Sequence, residues 1–265
     1  MAKDILIIGD VVGHGRLAVL AQSSVLSPLG HNISNLPTAL VSNNFCYGQY
    51  AILDTTEYMR QSIETWEKLG FVFDVISIGF IASDLQAEML STFCAKQKEK
   101  GAIVIVDPIM ADNGSLYNGV GVETIDRLRK VVSLADLTVP NYTEACLLTG
   151  TEFHDTGFHK EEIKPVIDKI CGLGAKSVMV TSAHIEGQPF VVGYDANTEK
   201  YLSLPYREVP VQFSGTGDIF TAMLISRLLK GNSLKTAATI TMEQLSALID
   251  INSDAENKAE GLPIS

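Results

Sequence analysis

Short runs rich in isoleucine and valine alternate with longer helical stretches along nearly the whole chain, and this alternation restricts the possible folds more than any other feature. Strands are expected at Asp4–Gly9, Asn35–Val41, Asp74–Gly79, Ala102–Asp107, Leu137–Pro140, Lys176–Thr181, Phe190–Tyr194 and Tyr201–Leu204. Several are apolar at consecutive positions, as strands covered on both faces must be. Helices are expected between them, at Leu17–Leu26, Thr55–Leu69, Leu85–Lys100, Val122–Val132, Tyr142–Thr149, Glu161–Leu173, Ile219–Lys230 and Leu234–Asp250. Strand–helix repetition implies parallel strands joined by crossover helices. The last two strands differ, because only the turn-like Asp195-Ala196-Asn197-Thr198 separates them, so they form an antiparallel hairpin at one edge. The expected architecture is α/β: a central, mostly parallel sheet with helices on both faces, forming one domain over residues 1–265.

The chain is 46% apolar with 19% charged residues, enough for one substantial core and too few charges for long disordered stretches. Its formal charge of -11 makes it a poor candidate for general nucleic-acid binding. No apolar run approaches the ~20 residues that span a bilayer, and the N-terminus does not resemble a signal peptide. Cys46, Cys94, Cys146 and Cys171 form no CxxC pair, which suggests reduced, mostly buried thiols in a cytoplasmic protein. No repeat or linker is visible. The polar tail after Asn252 is expected to lie on the surface or fray.

In an open parallel sheet, ligands bind beyond the carboxyl ends of the strands. Three motifs fall there. Ser214-Gly215-Thr216-Gly217-Asp218 leads into an apolar helix. Its glycines let the backbone approach a ligand, its helix-start N–H groups suit negative charge, and a carboxylate there can take a proton from an attacking hydroxyl. An ordinary turn with an N-terminal helix acid is an equally good reading of the spacing. In Asp107-Pro108-Ile109-Met110-Ala111-Asp112-Asn113-Gly114, Asp107 and Asp112 offer hard oxygen ligands for Mg²⁺, although Asp-Asn-Gly is also plain turn chemistry. In Pro140-Asn141-Tyr142-Thr143-Glu144, Asn141 and Glu144 have capping-box spacing. On spacing alone, that structural role outweighs a contact to Mg²⁺–phosphate.

Taken in order, Asp-Pro-x-Met-x-Asp-Asn-Gly, Pro-Asn-x-x-Glu-Ala-x-x-Leu-Thr-Gly and Gly-Thr-Gly-Asp-x-Phe resemble the pyridoxal (vitamin B6) kinase branch of the ribokinase-like superfamily. The resemblance extends to Leu36–Asn43 and so covers most of the chain. It implies a three-layer ribokinase-like fold and ATP-dependent phosphorylation of the primary hydroxyl of a B6 vitamer. ATP and Mg²⁺ are the implied cofactors, with a monovalent cation as an option. A homodimer follows by analogy. Asp218 would be the base, and Gly215, Thr216 and Gly217 the anion hole. Asp107, Asp112, Asn141, Glu144, Thr181, Ser182 and Tyr117 would line the nucleotide site, with Asp107, Asp112 and Glu144 near Mg²⁺ through water. Asp10, Thr38, Ser42, Phe45 and Phe80 would lie on the substrate side.

The substrate side departs from the family. Ser42-Asn43-Asn44-Phe45-Cys46 stands where relatives have Ser-x-His-Thr-Gly, and the missing threonine usually lies beside the pyridine ring. Val12 replaces a serine, and Phe80 stands where a tyrosine often stacks. Losing polar handles changes substrate preference. Hydroxymethylpyrimidine is therefore the alternative acceptor, a sugar is a third, and a ligand-sensing relative without turnover belongs to a different class. The intact Gly215–Asp218 segment argues for turnover. His14 is either a substrate contact or a plain loop histidine. His31, His154, His159 and His184 show no metal spacing, Trp66 and Phe71 are expected in the core, and the Lys96–Lys100 cluster reads as a solvated helix end.

Overall fold

The computed structural model describes residues 2–264. Nine strands form one sheet: β1 (Asp4–Val12), β2 (Asn32–Val41), β3 (Ile52–Asp54), β4 (Val75–Ile78), β5 (Ile103–Val106), β8 (Leu137–Thr138), β9 (Ser177–Ile185), β10 (Gln188–Asp195) and β11 (Lys200–Pro205). The remaining two, β6 (Ala111–Asp112) and β7 (Ser115–Leu116), make a separate small hairpin. The sheet order is β11-β10-β9-β8-β5-β4-β1-β2-β3. Strands from β9 through β2 are parallel. At one edge β10 and β11 run antiparallel, so the expected hairpin is part of a meander that starts at β9. At the other edge β3 pairs antiparallel with β2. Neither β3 nor the β6–β7 hairpin was expected from the sequence, since runs of two or three residues carry no periodicity.

Among the described residues the eight α-helices are α1 (Ala18–Leu26), α2 (Thr56–Leu69), α3 (Asp84–Glu99), α4 (Glu123–Val132), α5 (Tyr142–Thr149), α6 (Ile163–Gly172), α7 (Thr216–Leu229) and α8 (Leu234–Ile251). Strand β1 displays the layering. Ile5 and Ile7 enter the core formed with α1, α7 and α8, while Leu6 and Ile8 enter the core formed with α2 to α6. Successive strand side chains point to opposite faces, so a strand apolar throughout must be covered twice. Helix α2 shows the complementary logic. It buries Met59 and Ile63 one turn apart and turns Glu57, Arg60 and Glu64 to solvent.

One expectation needs correction, and one pair of alternatives is decided. Phe71 lies outside the core and is 44% exposed, just after the glycine that ends α2, whereas Trp66 packs edge-on against Phe73. The C-terminal tail is docked, not frayed. Leu262 is fully buried, Ser214 N donates to Lys258 O at 3.1 Å, and Arg16 N donates to Glu260 O at 2.7 Å. The cysteines are free, with Cys94 and Cys146 buried and Cys46 exposed. Among the described residues, no helix is long and apolar enough to cross a membrane.

Candidate active site

The carboxyl ends of β1, β4, β5, β8 and β9 open on one crevice, and each delivers a site residue. The pairing of β1 with β2 slips between Gly9 and Val11, and Asp10 sits at that irregularity. Asp107 follows β5 directly, Asn141 follows β8 by three residues, and Thr181 and Ser182 lie on β9. Two cavities meet there. One, about 640 Å³, is lined by Asp10, Val12, Phe45, Phe80, Asp107, Tyr117, Glu144 and Asp218, among others. The second, about 610 Å³, lies between the Phe153–Gly157 loop, the Tyr206–Gln212 segment and α8. Asp112, Thr181, Ser182, Gln212, Thr216 and Gly217 line both. Thus Thr216-Gly217 stands where the contents of the two cavities would touch.

The start of α7 explains why. Gly215 caps it at φ +74°, and a Cβ there would meet Leu17 Cδ2 at 2.8 Å. No side chain caps the helix, so its first N–H groups point into the crevice. Asp218, in the first turn, is buried. Its Oδ2 accepts from Ala18 N at 2.9 Å, and its Oδ1 accepts from Gln22 Nε2 at 3.5 Å. Gln22 Oε1 accepts in turn from Ser77 Oγ at 2.8 Å, so a buried chain of groups from β4 and α1 fixes the carboxylate.

Asp218 is one of four buried acids that line the first cavity. Burial pushes Asp218 up to about 6. Burial, then repulsion from Asp218, pushes Asp10 up to about 7. The same two causes raise Asp107 well above the carboxylate range, although its Oδ2 accepts from Thr221 Oγ1 at 3.1 Å. Burial and the charge of Asp107 raise Glu144. The Tyr117 phenol is raised by burial and by the acids around it, Glu144 first. Buried carboxylates that feel one another's charge are hard oxygen donors of the kind that suit a divalent cation.

Glu144 also completes a capping box. Its Oε2 accepts from Asn141 N at 2.8 Å, and Asn141 Oδ1 accepts from Glu144 N at 2.9 Å. Its Oε1 takes Met110 N at 3.0 Å, and Asn141 Nδ2 donates to Ala111 O. The structural role weighed from spacing is therefore present, on a carboxylate that still lines the first cavity. Asp112 accepts from Asn113 N at 2.9 Å and from Gln212 Nε2 at 2.8 Å, and burial raises its carboxyl.

On the substrate side the residues divide. Asp10, Phe45 and Phe80 line the first cavity, and Thr38 and Ser42 do not. Thr38 is fully buried and donates to Phe80 O at 2.8 Å, which holds Phe80 in place. Ser42 is exposed, and its hydroxyl closes the Asn43–Ala51 turn. His14 is also outside the cavity, against Glu260 at 3.1 Å. Gln212, Ala18, Gln22 and the tail residues Lys258 and Ala259 enter the site without having been anticipated. For the tail residues the one trace in the sequence was the apolar pair Leu262 and Ile264 after a glycine in a polar stretch.

The sequence profile of the phosphomethylpyrimidine kinase family matches residues 29–262. The pyridoxal kinase of Burkholderia thailandensis is 26% identical over 265 residues, covering 96% of this chain and 90% of that one. Sheep pyridoxal kinase is 26% identical over 264 residues, covering 91% and 82%. A crystal structure from Bacteroides thetaiotaomicron, described as a candidate phosphomethylpyrimidine kinase and solved with pyridoxal, matches with a TM-score of 0.92 at 28% identity, covering 99% of this chain and 92% of that one.

Proposed function

The chain belongs to the phosphomethylpyrimidine kinase family of phosphotransferases, and from that premise we propose that it transfers the γ-phosphoryl of ATP to the primary hydroxyl of a B6 vitamer. The observation that carries this reading is the meeting of two cavities at an uncapped helix start that also bears a buried carboxylate. The cavity lined by Val12, Phe45 and Phe80 takes the flat heteroaromatic acceptor, and the cavity beside α8 takes the nucleotide. Gly215–Gly217 cradle the transferring phosphoryl group, and Asp218 accepts the hydroxyl proton. Asp107, Asp112 and Glu144 are the residues that would hold Mg²⁺ through water. Bound there, the ion would neutralise phosphate charge. A homodimer is proposed by analogy. A cytoplasmic location is part of the same proposal.

Hydroxymethylpyrimidine is the second acceptor, favoured by the apolar exchanges at Val12 and Phe45. The test is ADP release with Mg-ATP and each of pyridoxal, pyridoxine, pyridoxamine and hydroxymethylpyrimidine, with the product phosphate located by mass spectrometry. Turnover of a B6 vitamer at its primary hydroxyl is expected. Turnover of the pyrimidine alone would replace the first reading with the second, and binding without turnover of any acceptor would favour a sensor.

A further inference from the structure

We propose that His154, His159 and Glu162 form a zinc(II) site at the rim of the second cavity. One ring nitrogen from each histidine and one carboxylate oxygen lie within 4.8 Å of one another, the single such grouping among the described residues. Sequence spacing gave no sign of it, because His-x₄-His-x₂-Glu lies on an irregular loop where spacing does not set geometry. Two imidazoles and a carboxylate are a donor set that suits zinc, with a fourth position open to water. Ligand atoms about 2.0–2.2 Å from zinc lie about 3.4 Å apart in a tetrahedron, so small rotamer adjustments would close the site.

The loop is built to hold these residues together. Tyr142 on α5 packs against both Phe153, at 5.0 Å, and Phe158, at 4.4 Å, each the immediate neighbour of a histidine of the trio. The Tyr142 hydroxyl accepts from His154 N at 3.0 Å. Phe158 N donates to His184 O at 2.8 Å, which pins the second half of the loop to β9. His159 N donates to Glu162 Oε2 at 2.8 Å and Glu162 N to His159 O at 2.9 Å, closing the last turn before α6. His154 Nε2 already stands 3.8 Å from Glu162 Oε1, and the two rings are 5.2 Å apart. Among the described residues the ring of His159 has no hydrogen-bond partner, so it can turn toward a metal.

The site is distinct from the acidic group at Asp107 and Asp218 in both place and chemistry. Imidazole nitrogen suits zinc, whereas carboxylate-only surroundings suit Mg²⁺. His154, Asp155 and Gly157 line the second cavity, so a metal here would also fix one wall of it. The inference does not depend on which acceptor is phosphorylated.

The test is equilibrium zinc binding to the full chain with excess Mg²⁺, which occupies the hard-oxygen group. Cobalt(II) serves as a spectroscopic stand-in for coordination number. One zinc per chain is expected, with cobalt giving the visible absorption of a nitrogen-ligated, four-coordinate site. His159→Ala and His154→Ala should each weaken zinc about tenfold or more, as loss of a ligand must cost at least what loss of its support does. His159→Ala should leave the metal-free melting temperature unchanged. Failure of the wild type to bind zinc under Mg²⁺ would overturn the proposal. So would wild-type zinc affinity in His159→Ala, which would move the metal to another group such as the exposed Cys46.

Discussion

Ala18 N donates a 2.9 Å hydrogen bond to Asp218 Oδ2, and it does so from a backbone φ of +51°. Left-handed backbone costs a residue with a Cβ on the order of 1–2 kcal/mol. The strain buys a fixed orientation for one buried carboxylate, at the point where the two cavities join. Pre-organisation of this kind suits a base better than a structural acid.

Asp218→Asn should therefore lower kcat by about 10²–10⁴-fold, the usual contribution of a positioned acid–base group. Nucleotide affinity should change little, because the amide keeps the shape and removes a negative charge near the phosphates. Single-turnover kinetics and an ATP dissociation constant check both halves. Near-normal kcat would remove Asp218 as the base.

The buried acids also set a pH dependence for the ligand-free protein. A carboxyl whose folded pKa lies above its ordinary value of 3.8 takes up a proton on folding. Its stabilising contribution is complete below 3.8 and is lost as pH rises through about 6 for Asp218 and about 7 for Asp10. Asp10→Asn should thus be close to neutral at pH 4 and more stable than wild type at pH 8. The melting temperature should gain about 2–4 °C for each kcal/mol of repulsion and desolvation relieved. Calorimetry without ligand at both pH values decides it, and a variant less stable than wild type at pH 8 would contradict the account.

Gly215 and Gly217 should fail in different ways when substituted. Gly215 has φ +74° and faces Leu17 Cδ2, so Gly215→Ala should cost about 1–2 kcal/mol in backbone strain, plus the clash. Gly217 lies outside the left-handed region, and a Cβ there would meet only Asp107 Oδ2, at 3.7 Å. Gly217→Val should keep its fold while intruding on both cavities, so ATP affinity and turnover fall together. Thermal melts beside ATP titrations separate the two. Equal loss of stability in both variants would show that neither glycine is there for the ligand.

The parts of this site that could be read from sequence are those whose placement follows from the sheet. A residue just after a parallel strand lands at the carboxyl edge, so Asp107 and Asn141 could be placed from strand ends alone. Ala18, Gln22 and Gln212 could not. They act through a backbone N–H and two amides whose partners lie 196 residues away for Gln22 and 100 away for Gln212. No local pattern encodes such contacts. Thr38 lies outside the cavity that its segment suggested. Its segment resembles a substrate-binding one, but its hydroxyl is spent on Phe80 O. Glu144 shows why the two readings of one motif need not compete, since its oxygens cap α5 from inside the crevice.

Phe45 should govern the choice of acceptor. It stands where relatives carry a threonine beside the pyridine ring, and it packs edge-on against Tyr50 at 4.6 Å, with Phe80 6.0 Å away. Phe45 and Phe80 form an apolar wall on the cavity assigned to the acceptor, with Tyr50 behind Phe45. A wall without a donor or acceptor cannot reward the polar substituents of pyridoxal. Phe45→Thr restores one hydroxyl. A neutral hydrogen bond is worth about 1 ± 0.5 kcal/mol, so kcat/KM for pyridoxal should rise relative to hydroxymethylpyrimidine by roughly 2- to 12-fold. The same change removes two aromatic contacts, each worth about 0.5–1.5 kcal/mol, so the melting temperature should fall. The two effects have different readouts and opposite signs, so general loosening of the pocket cannot imitate the selectivity gain. Competition between the two acceptors in one reaction measures the ratio directly. A ratio unchanged from wild type, in a folded variant that turns over, would mean that Phe45 lines the cavity without selecting what enters it.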